Sequence, residues 1–77
     1  MAEALDPVTK ELVGVGAAIA GHCQPCFDYH YREAVRLGAP RAAIEAAVGM
    51  ARAVRGAGDQ HRDEFAARRM AKAPSAE

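Results

Sequence analysis

Apolar residues recur along this chain at intervals of three and four, a spacing that predicts helices. Leu5, Val8, Leu12, Val15 and Ile19 form the first such stripe. It predicts a helix from about Asp6 to Ala20, capped by Asp6, with Pro7 at its first position. Gly14 and Gly16 weaken that helix but admit a closely packed neighbour, and Gly21 is a natural stop. A second stripe, Cys23, Cys26, Phe27, His30, Ala34 and Leu37, predicts a helix that begins near Cys23 and ends before Gly38. Asp28, Arg32, Glu33 and Arg36 fall largely on its other face, and Pro25 is tolerated because it lies in the first turn. Gly38-Ala39-Pro40 reads as a stop followed by a start. A third helix carries Ile44, Ala47, Val48, Ala51 and Val54, with Arg52 and Arg55 in its last turn. Gly56-Ala57-Gly58 reads as a linker. A fourth helix is expected from about Asp59 to Ala71, its acids early and its bases late, and residues 73–77 are expected to fray. No segment alternates with period two. The expected fold is all-α: one domain over residues 1–72, built as a small antiparallel bundle of about four helices.

Composition limits how that bundle can be stabilised. Of the 77 residues 51% are hydrophobic, but 19 are Ala and only 16 are Val, Ile, Leu, Met or Phe. So few large side chains bury a thin core, and further burial in a homo-oligomer is expected. Ten basic and ten acidic residues cancel. The chain therefore lacks the basic field of a general nucleic-acid binder. The longest uncharged run, Leu12 to Phe27, holds Gly14, Gly16, Gly21, His22, Gln24 and Pro25. It is shorter and more polar than the ~20 apolar residues of a membrane span. Ala18-Ile19-Ala20 mimics a signal-peptidase site, but no positively charged stretch precedes it. A cytoplasmic protein is expected, with neither membrane nor nucleic acid as partner.

Candidate chemistry is concentrated in Cys23-Gln24-Pro25-Cys26 and in His30, four residues later. Two cysteines at i and i+3 in a helix's first turn can close a small disulfide or open to a dithiol. Unpaired N–H groups and the helix dipole stabilise a thiolate there, bringing a thiol pKa from ~8.5 towards ~7 or below. His30 stands one turn beyond Cys26 on the same face, where an imidazole can take the thiol proton or return it to a leaving thiolate. Glu11, on the first helix beside the apolar stripe, is placed to exchange protons with His30 directly or through water.

Glu11, Cys23, Cys26 and His30 are spaced by 12, 3 and 4 residues. With Ala-Gly-His before the pair and Arg-Leu-Gly-Ala-Pro opening the next helix, this resembles the alkyl hydroperoxidase D-like branch of the carboxymuconolactone decarboxylase family. The similarity runs from about Val8 to Gly58. It implies an all-α fold assembled as trimers or hexamers, with thiol peroxidase or disulfide reductase activity. It also implies that Cys26 is the thiolate that attacks peroxide and that Cys23 is the more exposed resolving and exchange sulfur. No bound cofactor is implied: the redox group is the Cys23–Cys26 disulfide itself, reopened by an external dithiol. Members of this branch take electrons from a lipoyl-bearing protein and can pass them to a peroxiredoxin. Many carry a histidine just before the second cysteine, where this chain has Pro25. His22 is the nearby imidazole that could substitute, and a neighbouring subunit could complete the site.

Two other functions compete with this expectation. One is a non-catalytic assembly module of the same fold. The other is a zinc-stabilised bundle, with Cys23, Cys26 and His30 as ligands and His22 or His61 as the fourth. Structural zinc usually draws its second ligand pair from a separate segment, whereas three of these candidates share one helix. Taken singly, His61 reads as a surface or interface residue, and Tyr29 and Tyr31 as packing residues beside the His30 face.

Overall fold

A computed structural model describes residues 4–72. Three helices follow in order: α1 (Pro7–Ala20), α2 (Gln24–Arg36) and α3 (Arg41–Lys72). Among the described residues there is no strand, and no helix is long and apolar enough to cross a membrane. The frayed tail expected at 73–77 lies outside the described residues.

The sequence signals for α1 are realised. Asp6 caps it, taking the Thr9 amide on Oδ1 and the Thr9 hydroxyl on Oδ2, each at 2.9 Å, and Pro7 opens the helix. α1 ends at Ala20 with Gly21 as its cap, where the stop was expected. Gly21 is the last near-helical residue, and the left-handed position belongs to His22, at φ 58°. The Cys23 amide donates to the Ala18 carbonyl at 2.9 Å and the His22 amide to Ile19 at 3.3 Å, the paired bonds of a Schellman motif. α2 ends in the same way with a glycine. Gly38 takes φ 86°, Gly38 N–H donates to Val35 and Ala39 N–H to Ala34.

α1 lies against both other helices, while α2 and α3 barely touch each other. The core is small. Val15 and Ala34 are fully buried, and Ala18, Ile44 and Ala51 nearly so. Leu12, Phe27, Ala39, Ala47 and Val48 pack around Val15, Ala34 and Ile44. Small residues dominate because the helices approach closely, and α1, between the other two, adds Val15 and Ala18 to Ala34 of α2 and to Ile44 and Ala51 of α3.

The third and fourth helices expected from sequence are one. Gly56-Ala57-Gly58 is not a linker: α3 runs unbroken for 32 residues, about 48 Å at 1.5 Å per residue. A glycine costs a helix ~1 kcal/mol relative to Ala but does not break it, and no proline follows to force a stop. Neither Gly56 nor Gly58 takes a positive φ. Beyond them Asp59 pairs with Arg62 at 3.4 Å and Gln60 with Glu64 at 3.0 Å, along one continuous helix. A hairpin would also need an apolar face to bury, and residues 59–72 offer only Phe65 and Met70 as large apolar side chains. From Gly56 onward every described residue is exposed, so α3 leaves the body as an arm. The described chain measures 56 × 27 × 20 Å with a radius of gyration of 17.7 Å, against ~11–12 Å for a compact chain of this length.

Because both glycines are helical and an added Cβ meets nothing within 4 Å at either, Gly56→Ala and Gly58→Ala should each raise stability by ~0.8–1 kcal/mol. Thermal unfolding followed by circular dichroism measures this, and a loss at either site would restore the linker. The cap makes a pH prediction. The bonds from Thr9 hold the Asp6 carboxyl below its ordinary value. Their contribution is therefore present above the ordinary carboxylate range and lost as pH falls through the lowered value. Asp6→Ala should lower the unfolding midpoint at pH ~7, and by progressively less as pH falls below the ordinary carboxylate range.

Candidate active site

The Schellman turn delivers Cys23 to the N-cap of α2. Its backbone amide is used on α1, and its sulfur accepts the Cys26 N–H at 3.2 Å. Cys26 lies in the first turn, and the two sulfurs form a disulfide with their Cα atoms 5.3 Å apart. Pro25, which has no N–H to satisfy, occupies the first turn at no cost. Cys23 is half-buried and Cys26 is exposed, which reverses the order the resemblance implied. The cause is the cap: Cys23 is tied to the end of α1, whereas Cys26 stands on the free side of the turn. Cys23 lines a shallow recess of about 410 Å³ with Ala18, Ile19, His22, Phe27 and Arg55. Arg55 reaches it from α3 and donates from Nη1 to the Ile19 carbonyl at 3.3 Å.

The second pair spans the two helices. His30 Nδ1 lies 2.7 Å from Glu11 Oε1, with the Glu11 side chain 13% exposed and that of His30 33%. With Glu11 ionised, Nδ1–H donates to the carboxylate, which leaves the Nε2 lone pair free to accept a proton. Tyr29 sets its ring edge-on to the imidazole, centroids 5.0 Å apart. The surroundings are charged. Arg36 bonds Glu33 at 2.7 Å, which holds the Glu33 carboxyl below and the Arg36 guanidinium above their ordinary values.

Over residues 1–72 the sequence matches the profile of the carboxymuconolactone decarboxylase family. The chain belongs to that family. The match is consistent with its alkyl hydroperoxidase D-like branch. Comparison with curated proteins and with solved structures gave no match.

All four residues singled out in this family member's sequence lie on α1, α2 and the turn between them, and the structure joins them as two pairs: Cys23 with Cys26, and Glu11 with His30. The pairs are linked through α2, where His30 follows Cys26 by one turn. His22 borders the recess beside Cys23. His61 stands on the exposed arm, its side chain 81% exposed, and no group of three or more His, Cys, Asp or Glu is arranged for a metal ion among the described residues.

Gly14 is the residue whose part in the site the sequence did not reveal. A Cβ there would lie 2.5 Å from two atoms of the His30 ring. Its spacing from Glu11, three residues on the same helix, was the available signal. At Gly16 the same addition meets only ordinary contacts, at 3.6 and 3.7 Å. Gly14→Ala should therefore push the ring off Glu11 and lower any proton-dependent thiol turnover by ~100-fold, the low end of the range for a lost acid–base group. Gly16→Ala should retain the rate. Steady-state kinetics of the two variants across pH distinguishes them, and equal rates would remove Gly14 from the site.

Proposed function

We propose that this family member is a thiol-dependent oxidoreductase that reduces hydroperoxides or disulfides. The observation that carries this is the coincidence, on one helix, of a disulfide at the first turn and an imidazole held by a carboxylate one turn later. In the reduced enzyme His30, oriented by Glu11, accepts the Cys26 thiol proton. The Cys26 thiolate attacks a hydroperoxide oxygen; the O–O bond breaks, the alcohol leaves with a proton, and Cys26 becomes a sulfenic acid. Cys23 then attacks that sulfur, water departs and the Cys23–Cys26 disulfide closes. An external dithiol supplies two electrons to reopen it. The family resemblance points to a lipoyl-bearing protein as that dithiol and to a peroxiredoxin as a further electron acceptor.

A homo-oligomer, trimer or hexamer, is part of the same proposal. Its support is the apolar surface left on the single chain. Val13, Met50 and Val54 stand exposed along a groove of about 490 Å³ between α1 and α3, and Phe65 and Met70 stand exposed on the arm. A second copy is the simplest cover for so much apolar surface on so small a core.

Cys26→Ser should lower peroxide-dependent dithiol oxidation on the order of 10³-fold or more, as loss of a nucleophile does, with an unchanged far-ultraviolet dichroism spectrum. A variant that turns over at the wild-type rate would overturn the assignment. A wild-type pair that no peroxide closes and no dithiol opens would make the chain an assembly module instead.

A further inference from the structure

The two sulfurs differ in what holds them, and this sets the direction in which the disulfide opens. We infer that the external thiol attacks Cys26 and that Cys23 is the leaving thiolate, the reverse of the exchange order that the family resemblance implies. The inference rests on the thiol-oxidoreductase proposal and adds the entry point of its reductant.

In thiol–disulfide exchange the sulfur that leaves more readily is the one better stabilised as a thiolate, and attack falls on its partner. Cys23 Sγ already accepts the Cys26 N–H at 3.2 Å and sits at the N-cap of a 13-residue helix. When the S–S bond breaks, the electron pair that arrives on Cys23 meets a donor in position, and an amide bond to an anion is about twice as strong as one to a neutral acceptor. Cys26 lies inside the first turn. Its nearest ionisable partner on the same face is His30, one turn away, and the Glu11 carboxylate at 2.7 Å offsets any positive charge on that ring. The direct donor therefore outweighs the neutral pair, and Cys23 is the better leaving group. Access agrees, since Cys26 is exposed and Cys23 half-buried. The competing route enters the recess beside Arg55, attacks Cys23 and expels Cys26.

The step balances as follows. A reductant thiolate bonds to Cys26 Sγ, the Cys23–Cys26 bond breaks, and Cys23 departs as a thiolate. The reductant's second thiol gives its proton to His30 Nε2 and attacks the reductant sulfur of the mixed disulfide, breaking that sulfur's bond to Cys26. The released Cys26 thiolate takes a proton from His30. The reductant leaves as a disulfide, and two electrons have moved to the pair. Cys26 thus meets both outside reactants, the peroxide and the dithiol, while Cys23 only closes and opens the internal bond.

The test uses the full-length oxidised protein. It is exposed briefly to β-mercaptoethanol, quenched in acid, and read by tandem mass spectrometry for the cysteine that carries the adduct. The adduct should favour Cys26 on the order of fivefold, because the sulfur with a donor in position leaves more readily. In urea, where the N–H contact to Cys23 is gone, the preference should fall to near parity. Parity or a Cys23 majority in the folded protein overturns the inference. Reduction by dithiothreitol is followed in parallel. If the dithiol opens the pair while the adduct sits on Cys23, only the entry point is wrong; if neither thiol reacts, the oxidoreductase proposal falls with it.

Discussion

Between α1 and α2 the His30 ring packs so closely onto Gly14 that one methyl group added there would collide with it. Val15 and Ala34, both fully buried, lie at the same contact. The approach brings Glu11 of one helix within hydrogen-bond distance of an imidazole on the other. A bulkier pair of faces would hold the helices apart and leave the carboxylate to water. The site is thus a consequence of packing small residues, and the alanine-rich composition that thins the core also lets the proton-carrying pair form.

The same composition explains the shape. Five buried apolar residues among those described, three of them alanine, cannot hold a long helix along its whole length. They hold the first half of α3 against α1, through Ile44 and Ala51, and leave the rest free. Helix propensity and charge pairs carry the arm onward, with acids nearer its start and bases nearer its end, as the macrodipole favours. The arm's exposed aromatic and methionine are surface that a lone chain has no means of covering.

Most of the site was legible in the sequence because it depends on local spacing. Asp6, Pro7 and the stripe on α1, the first turn holding Cys23 and Cys26, and the Gly38 stop are all decided within a few residues. Glu11 and His30 were recognisable as partners because Glu11 lies beside the stripe of α1, His30 lies on that of α2, and their spacing from the cysteines resembles the family's. Two features were not local. Gly56 and Gly58 carry the same turn signal as Gly38. What differs is that Gly38 closes a helix whose carbonyls need the left-handed turn, while a hairpin at Gly56 would have no face to pack. The exposure of the two cysteines was inverted because it depends on which one is tied to α1, a fact about the cap rather than the spacing.

The two Schellman turns permit a direct comparison. The left-handed residue closing α2 is Gly38, for which that conformation carries no steric penalty. The equivalent residue closing α1 is His22, for which it costs ~1–2 kcal/mol through the clash of Cβ with the following carbonyl. Histidine is among the residues that tolerate the region best, and the two capping bonds from His22 and Cys23 hold it there. The glycine that would remove this strain is present one position earlier, at Gly21, where an added Cβ would lie 2.9 Å from the Ala17 carbonyl. The turn therefore has a steric reason for glycine at 21 but none for histidine at 22. Strained backbone of this kind concentrates beside functional groups, and here it falls on the residue just before the cysteine that caps α2.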